Sequence, residues 1–235
     1  MTILLYDLAV TENRRPSPFC WRIKYALAHK GLSFDTKPVA FTDIPKIFDG
    51  RFTTVPILED GERVVHDSWA IADYLDATYK DHPRLFATPT ERGFCRFLEA
   101  WLFANVVPQL IGVYVKDIAD SVEEKDRAYF RESREKRMGC TLEEMVAGRE
   151  QRLPIARAGF EPIRLMLTRQ GQSFVSGDAP GYADYMAVGV LLWVASVSTL
   201  PLLNADDPVV AWYERLRDMY DGLGNCTKLS AISQR

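Results

Sequence analysis

The stretch TVPILEDGERVVHDSWAIADYL, Thr54 to Leu75, decides the architecture of the first part of the chain. Val55-Pro56-Ile57-Leu58-Glu59 and Glu62 to His66 are short β-prone runs. Asp60-Gly61 between them is a strong two-residue turn signal, so the stretch predicts a hairpin. Asp67-Ser68 then offers N-cap residues to a helix running to Tyr79, with Trp69, Ala72 and Leu75-Asp76 marking its period. Upstream, Ile3 to Leu8 is an apolar run suited to a buried strand. A polar loop, Thr11 to Ser17, leads into a helical pattern from Pro18 to Lys30. Ser17 fits its N-cap, Pro18 its first turn and Gly31 its end. Ser33 to Ala40 alternates as a second strand, and Phe41 to Gly50, with Pro45 inside it, reads as irregular or weakly helical. The order is βαβ, then ββα. A crossover helix pairs strands in parallel and a hairpin pairs them antiparallel, so a four-stranded mixed sheet is expected.

Lys80 to Pro89 is charged, contains Pro83 and Pro89, and reads as a linker. Beyond it only helical signals follow: Thr90 to Tyr114, Glu123 to Met138, a capping box at Thr141-Leu142-Glu143-Glu144, Pro154 to Gln170, Tyr182 to Ser198 and Pro208 to Tyr220. The expected organisation is an α/β domain over residues 1–80 joined to an all-α domain over residues 90–235.

The chain has 235 residues, enough for two compact domains, with 47% hydrophobic and 26% charged residues. That mixture excludes disorder. A net charge of -3 argues against a nucleic-acid or membrane surface. The basic run Arg131 to Arg137 is broken by acids and reads as a solvated helix face. Met1 to Asp7 lacks the features of a signal peptide. Cys20, Cys95, Cys140 and Cys226 lie far apart without metal-ligand spacing, so a reduced, cytoplasmic setting and no structural metal are expected. Tyr185 to Leu203 runs 19 residues without a charge. It is read as the central helix of a bundle rather than a membrane span, because it carries Ser196, Ser198, Thr199 and Pro201.

Three short motifs carry chemistry. Ser17-Pro18-Phe19-Cys20 opens a helix after a strand and a loop, and a helix N-terminus favours negative charge. It has the form of a thioredoxin-fold motif with serine in place of the first cysteine, which disfavours dithiol redox chemistry. Ser17 is either a plain N-cap or the donor of a hydrogen bond to a ligand sulfur. A free thiol has a pKa near ~8.5, and a hydrogen bond to a charged group is worth roughly 1.5–3 kcal/mol. With the helix terminus adding roughly 0.3–1 kcal/mol, most of a bound thiol would be thiolate at neutral pH. Val55-Pro56 is either a trans proline at a strand edge or a cis bond presenting backbone groups to a peptide-like ligand. Asp67-Ser68 either caps its helix or binds a carboxylate and an ammonium together.

These residues, in this order and spacing, resemble the glutathione transferase superfamily over nearly the whole chain. The resemblance implies a thioredoxin-like N-terminal domain holding glutathione and an all-helical domain holding an apolar co-substrate. Ser17-Pro18-Phe19 resembles the serine-type activation site, and Thr54-Val55-Pro56-Ile57-Leu58 resembles the cis-proline segment. Asp67 to Leu75 resembles the γ-glutamyl-binding helix, with Asp67 one methylene shorter than the usual Glu or Gln. Gly181-Tyr182-Ala183-Asp184 resembles the cap of the central helix. Asp184 would hold the structural role there, and Gly181, where Ser or Thr is usual, would weaken the cap.

A closer likeness is to the etherase-like branch, the glutathione-dependent β-etherases of bacterial lignin breakdown and their fungal relatives. Ser17 to Leu27, Ala147 to Pro154, Tyr220 to Gly224 and the helical insertion from Lys116 to Leu153 carry it. The branch implies attack of glutathione thiolate on an aryl-ether carbon with loss of a phenolate, and a place in detoxification or aromatic compound metabolism. Its members differ in whether they cleave ethers or only bind aromatic ligands, so a glutathione-dependent carrier is the alternative. A homodimer is implied as well. The resemblance further points to Trp101, Tyr114 and Trp193 as walls of the apolar site, and to Arg51 and Thr54 as contacts for the polar ends of glutathione. Cys20 is expected to be buried and inert, and His66 to be a strand residue.

Overall fold

The computed structural model describes residues 2–234; Met1 and Arg235, the outer limits of the two expected domains, lie outside the described residues. Strands β1 (Ile3–Leu8) and β2 (Phe34–Val39) flank helix α1 (Pro18–His29) and pair in parallel from Ile3↔Phe34 to Leu8↔Val39. Strands β3 (Ile57–Asp60) and β4 (Arg63–His66) form the hairpin, and β3 lies antiparallel to β1. The sheet order is β2-β1-β3-β4, the mixed sheet expected from the βαβ and ββα order.

Asp60 pairs with Arg63, so the turn residues are Gly61-Glu62, one step beyond the Asp60-Gly61 that composition suggests. The reason lies in α2 (Ser68–Thr78) and the residue that follows it. The Asp60 carboxylate accepts the hydroxyls of Tyr74 at 2.8 Å and Tyr79 at 2.5 Å, which keeps Asp60 in the strand.

A buried ion cluster pins the loop before α1 to the sheet. Asp7 of β1 accepts from Lys24 at 3.0 Å and lies 3.7 Å from Arg15, with all three side chains almost inaccessible. Trp21 donates its indole N–H to the Arg15 carbonyl at 2.8 Å. The Lys24 ammonium sits 3.2 Å from the Trp21 ring centroid, a cation–π contact in a desolvated place. The loop that carries Ser17 is thereby fixed by charge and packing together.

The helical part begins with one continuous run: α3 (Pro89–Trp101), a wide π turn (Leu102–Val106) and α4 (Val107–Ser121). Pro108 has no N–H to give to the preceding turn, and Val107 N–H bonds back to Leu102 O across the wide turn. The 33 residues of this run, Pro89–Ser121, are long and apolar enough by length and composition to cross a membrane. The sequence singled out Tyr185 to Leu203 instead; there helix α9 (Tyr182–Val197) ends at Val197 and every residue of it is buried.

Helices α5 (Arg127–Met138) and α6 (Leu142–Val146) follow, the second opened by the expected capping box of Thr141 and Glu144. The single helix expected from Pro154 to Gln170 is two, α7 (Arg149–Ala158) and α8 (Glu161–Thr168). Pro154 lies inside α7, and the break falls at Gly159, whose carbonyl accepts the Trp101 indole at 3.0 Å. Helix α10 (Pro208–Gly222) is regular up to Met219, where the backbone leaves helical geometry.

Helix α9 packs along α1. At Gly189 a Cβ would lie 2.7 Å from the Pro18 carbonyl oxygen. The missing side chain lets α9 approach the start of α1, just below Ser17. Gly189→Ala is therefore expected to destabilise the fold by about 1–3 kcal/mol, the cost of overpacking. In an exposed helix the same change would stabilise by up to ~1 kcal/mol. The denaturant midpoint decides; a rise would contradict the close approach.

Candidate active site

Ser17 stands at the end of the loop fixed by Asp7, with extended backbone, and caps α1: its Oγ accepts from Cys20 N–H at 3.1 Å. Ser17 is nearly covered yet lines a cleft of about 530 Å³, a volume suited to a small organic ligand. A hydroxyl at a helix N-terminus thus faces a space whose walls are mainly apolar.

One wall of the cleft is Pro16 to Phe19 with Thr53, Thr54 and Val55. The facing wall is the stripe Val107, Ile111, Val115 and Ile118 of α4. Phe41 and Ile44 come from the irregular segment after β2, Trp193 from α9, and Tyr129, Phe130, Ser133, Arg134, Arg137 and Met138 from α5. Phe103, on the wide turn, stacks on Phe19 with ring centroids 5.5 Å apart. Phe19 in turn lies under the buried guanidinium of Arg22, 4.8 Å away. Arg22 donates to Glu99 at 2.6 Å, and the same carboxylate takes the Trp69 indole at 2.6 Å. This chain of contacts ties α1, α2 and α3 together behind the cleft.

Among the residues singled out from sequence, Ser17, Thr54, Val55 and Trp193 meet at the cleft. The Val55-Pro56 bond is cis. Thr54 Oγ1 is 2.8 Å from His66 Nε2 at the end of β4, and His66 stacks on Phe52. Asp67 caps α2 and is exposed. Both of its bonds, from Trp69 N–H at 2.9 Å and Ala70 N–H at 3.1 Å, end on Oδ1, which leaves Oδ2 free for a cation. Ser68 is buried, its Oγ 3.5 Å from Arg22, and its carbonyl accepts the Tyr182 hydroxyl at 3.2 Å.

Pro56, Asp67 and Ser68 do not line the cleft itself, and neither do Tyr114, Trp101 and Arg51. Tyr114 is fully buried and donates its hydroxyl to the Leu200 carbonyl at 3.2 Å. Trp101 is held by Gly159 as described, and Arg51 is exposed with its guanidinium over Phe52. The polar ends of the two helix aromatics are taken by carbonyls in the loop after α9 and at the break between α7 and α8.

Sequence reading missed Phe103, the α4 stripe and the α5 arginines. The 4-4-3 spacing of Val107, Ile111, Val115 and Ile118 was the available signal for one apolar face. The basic run of α5 is not wholly a solvated face, since Arg134 and Arg137 line the cleft.

Cys20 is fully buried, with its Sγ 3.9 Å from the Tyr6 carbonyl. Burial, with Asp7 nearby, pushes its thiol far above the ordinary cysteine range, so it is no nucleophile at neutral pH. Among the described residues no three His, Cys, Asp or Glu side chains gather closely enough to hold a metal ion. A second recess, of about 580 Å³, lies between α7, α8 and the start of α10. Arg164 and Asp207 pair within it at 2.8 Å, and none of the singled-out residues lines it.

Residues 16–78 match the family model described as glutathione S-transferase, N-terminal domain, and residues 93–201 the one described as glutathione S-transferase, C-terminal domain. The solved structure of glutathione transferase GSTFuA3 from Phanerochaete chrysosporium is 26% identical, with a TM-score of 0.74, over 94% of this chain and 92% of that one. The glutathione S-transferase CsGST63524 of Ceriporiopsis subvermispora, solved in complex with glutathione, is also 26% identical, with a TM-score of 0.74, over 96% and 94% of the two chains. Glutathione S-transferase Z1 of Arabidopsis thaliana is 41% identical over 70 residues, which is 27% of this chain and 31% of that protein. The match to the probable glutathione S-transferase of Glycine max spans 48% of that protein. The chain thus matches less than half the length of either of these two plant relatives.

Proposed function

The chain belongs to the glutathione S-transferase family, and from that premise we propose that it binds glutathione and activates its thiol for attack on an aromatic or apolar electrophile held in the cleft. The observation that carries this reading is the Ser17 hydroxyl, which caps α1 by accepting from Cys20 N–H and lines the cleft at that helix N-terminus. In this reading Val55, beside Ser17, aligns the cysteinyl backbone, and Asp67 with the N-terminal end of α2 takes the γ-glutamyl group. Asp67 Oδ2 is open to the ammonium. The buried Ser68 hydroxyl faces Arg22, so the carboxylate would be met mainly by the helix terminus rather than by that side chain.

Ser17 donates to the sulfur and favours the thiolate over the thiol, whose proton passes to solvent. For the etherase-type reaction, the thiolate forms a C–S bond at the ether carbon as the C–O bond breaks. The leaving phenolate keeps the bonding pair and is protonated by water. The apolar walls exclude water and present Phe19, Phe103, Phe130 and Trp193 to aromatic rings. The homodimer and the cytoplasmic location implied by the resemblance belong to the same proposal, and the mass of the protein in solution tests the first.

Phenol release from a β-aryl ether ketone, measured with and without glutathione, tests the chemistry. Release that requires glutathione is the expected result. Glutathione binding by calorimetry with no release and no conjugation of a simple aryl halide would remove the catalytic reading and leave a carrier of aromatic compounds.

A further inference from the structure

The arginines of α5 divide into two groups. Arg127 pairs with Glu124, and Arg131 pairs with Glu135 at 2.7 Å and Glu143 at 2.8 Å. Arg134 and Arg137, which line the cleft, have no carboxylate within ion-pair reach among the described residues. Arg134 is half-buried: its guanidinium lies 4.1 Å from the Phe130 centroid and 5.1 Å from that of Phe41, and Nη1 donates to Ser133 Oγ at 2.7 Å. Burial, and then the neighbouring charge of Arg137, pulls the Arg134 guanidinium below its ordinary pKa. An arginine keeps its proton even so. Two like charges therefore stand side by side at an apolar wall, in a chain whose acids outnumber its bases by 32 to 29.

Such an arrangement costs desolvation and repulsion unless an anion completes it. A planar guanidinium stacked on aromatic rings presents its edge, which matches the two oxygens of a carboxylate. The aromatic faces that hold Arg134 also line the space where a ligand ring would lie. We propose that Arg134 and Arg137 form an anion subsite that selects aromatic electrophiles bearing a carboxylate. The proposal rests on the cleft being the electrophile site: α1 would receive the sulfur and α5 the acidic end of the second substrate.

The test compares a nitrochlorobenzoate with the isosteric nitrochlorobenzamide, both by calorimetric affinity and by conjugation to glutathione. The wild type should bind the benzoate about tenfold to a hundredfold more tightly than the amide, the range of a charge-assisted hydrogen bond. Added salt should narrow the gap. In the R134Q/R137Q variant the ratio should fall to about one, and R134K/R137K should restore part of it. Arg137 is exposed, so R137Q alone disturbs little packing and should still lower the ratio. Equal affinities in the wild type would overturn the proposal, as would a ratio that survives the double substitution. A loss of glutathione affinity with the ratio intact would also overturn it, by assigning these arginines to glutathione. Affinity needs no turnover, so absent conjugation refutes the transferase reading while the ratio still decides this one.

Discussion

Asp184→Ala is expected to remove about 3–5 kcal/mol of folding stability, the scale seen when a buried charge network loses its centre. Asp184 is fully buried. Its Oδ1 accepts from Val175 N–H at 2.7 Å and from the Trp212 indole at 2.9 Å. Its Oδ2 accepts from Ser176 N–H at 3.0 Å and Gly181 N–H at 3.1 Å. One carboxylate thus satisfies four donors and joins the loop before α9, the start of α9 and α10. Alanine would leave all four without this partner, the buried Val175 N–H and Trp212 indole among them, and an unsatisfied buried donor costs roughly 1–3 kcal/mol. Water entering the space recovers part of that sum. Asp184→Asn retains one oxygen and turns an amide toward the other two donors, so its loss should be smaller but clear. Denaturant unfolding with an unchanged slope gives the number; a loss below about 1 kcal/mol would show that the network is dispensable.

In Ser17→Ala the bound glutathione thiol is expected to titrate about one to two units higher, the equivalent of one hydrogen bond to a charged sulfur. With a neutral aryl electrophile, kcat/KM at neutral pH should then fall about tenfold to a hundredfold. The direction follows from the sign of the effect. The hydroxyl favours the charged form, so its loss moves the rising limb of the pH–rate profile to higher pH, and the deficit shrinks in alkaline solution. The lost cap costs only about 1 kcal/mol, so the variant should fold and bind glutathione. A profile at the wild-type position would remove Ser17 from the chemistry and leave it as a cap. The buried Cys20 offers no substitute, since its thiol is held in the neutral form.

Much of the frame is legible in the sequence. Ser17, Pro18 and Gly31 bracket α1 within two residues, Thr141 and Glu144 form the capping box, and Asp67 caps α2. The cap at α9 differs from its expected form in an instructive way. A Cβ at position 181 would lie 2.6 Å from Ser176 Oγ and 2.9 Å from Ser176 Cβ, so serine or threonine there would have to displace Ser176. Asp184 reaches back to the Gly181 N–H itself and carries the junction without an N-cap side chain. The expected weakness is met by a partner nine residues upstream, the Val175 N–H, which local patterning does not reveal.

Sequence by itself determined the order of the strands, the starts of α1, α2, α6, α9 and α10, and the position of the serine at the first helix. Those signals act over a few residues: a cap bonds to a donor two or three positions away, and a turn joins adjacent strands. Tertiary structure alone decided which side chains meet at the cleft. Tyr114 and Trp101 are aromatic and helical, as are Phe103 and Trp193, and nothing local separates the pairs. The Leu200 and Gly159 carbonyls draw the first two away, while the wide turn brings Phe103 onto Phe19. The arginines of α5 divide in the same manner. Arg131 finds Glu143, twelve residues on, whereas Arg134 meets aromatic faces and the hydroxyls of Ser133 and Tyr129. Pairing across the fold is set by where helices pack, and that depends on contacts far apart in the chain.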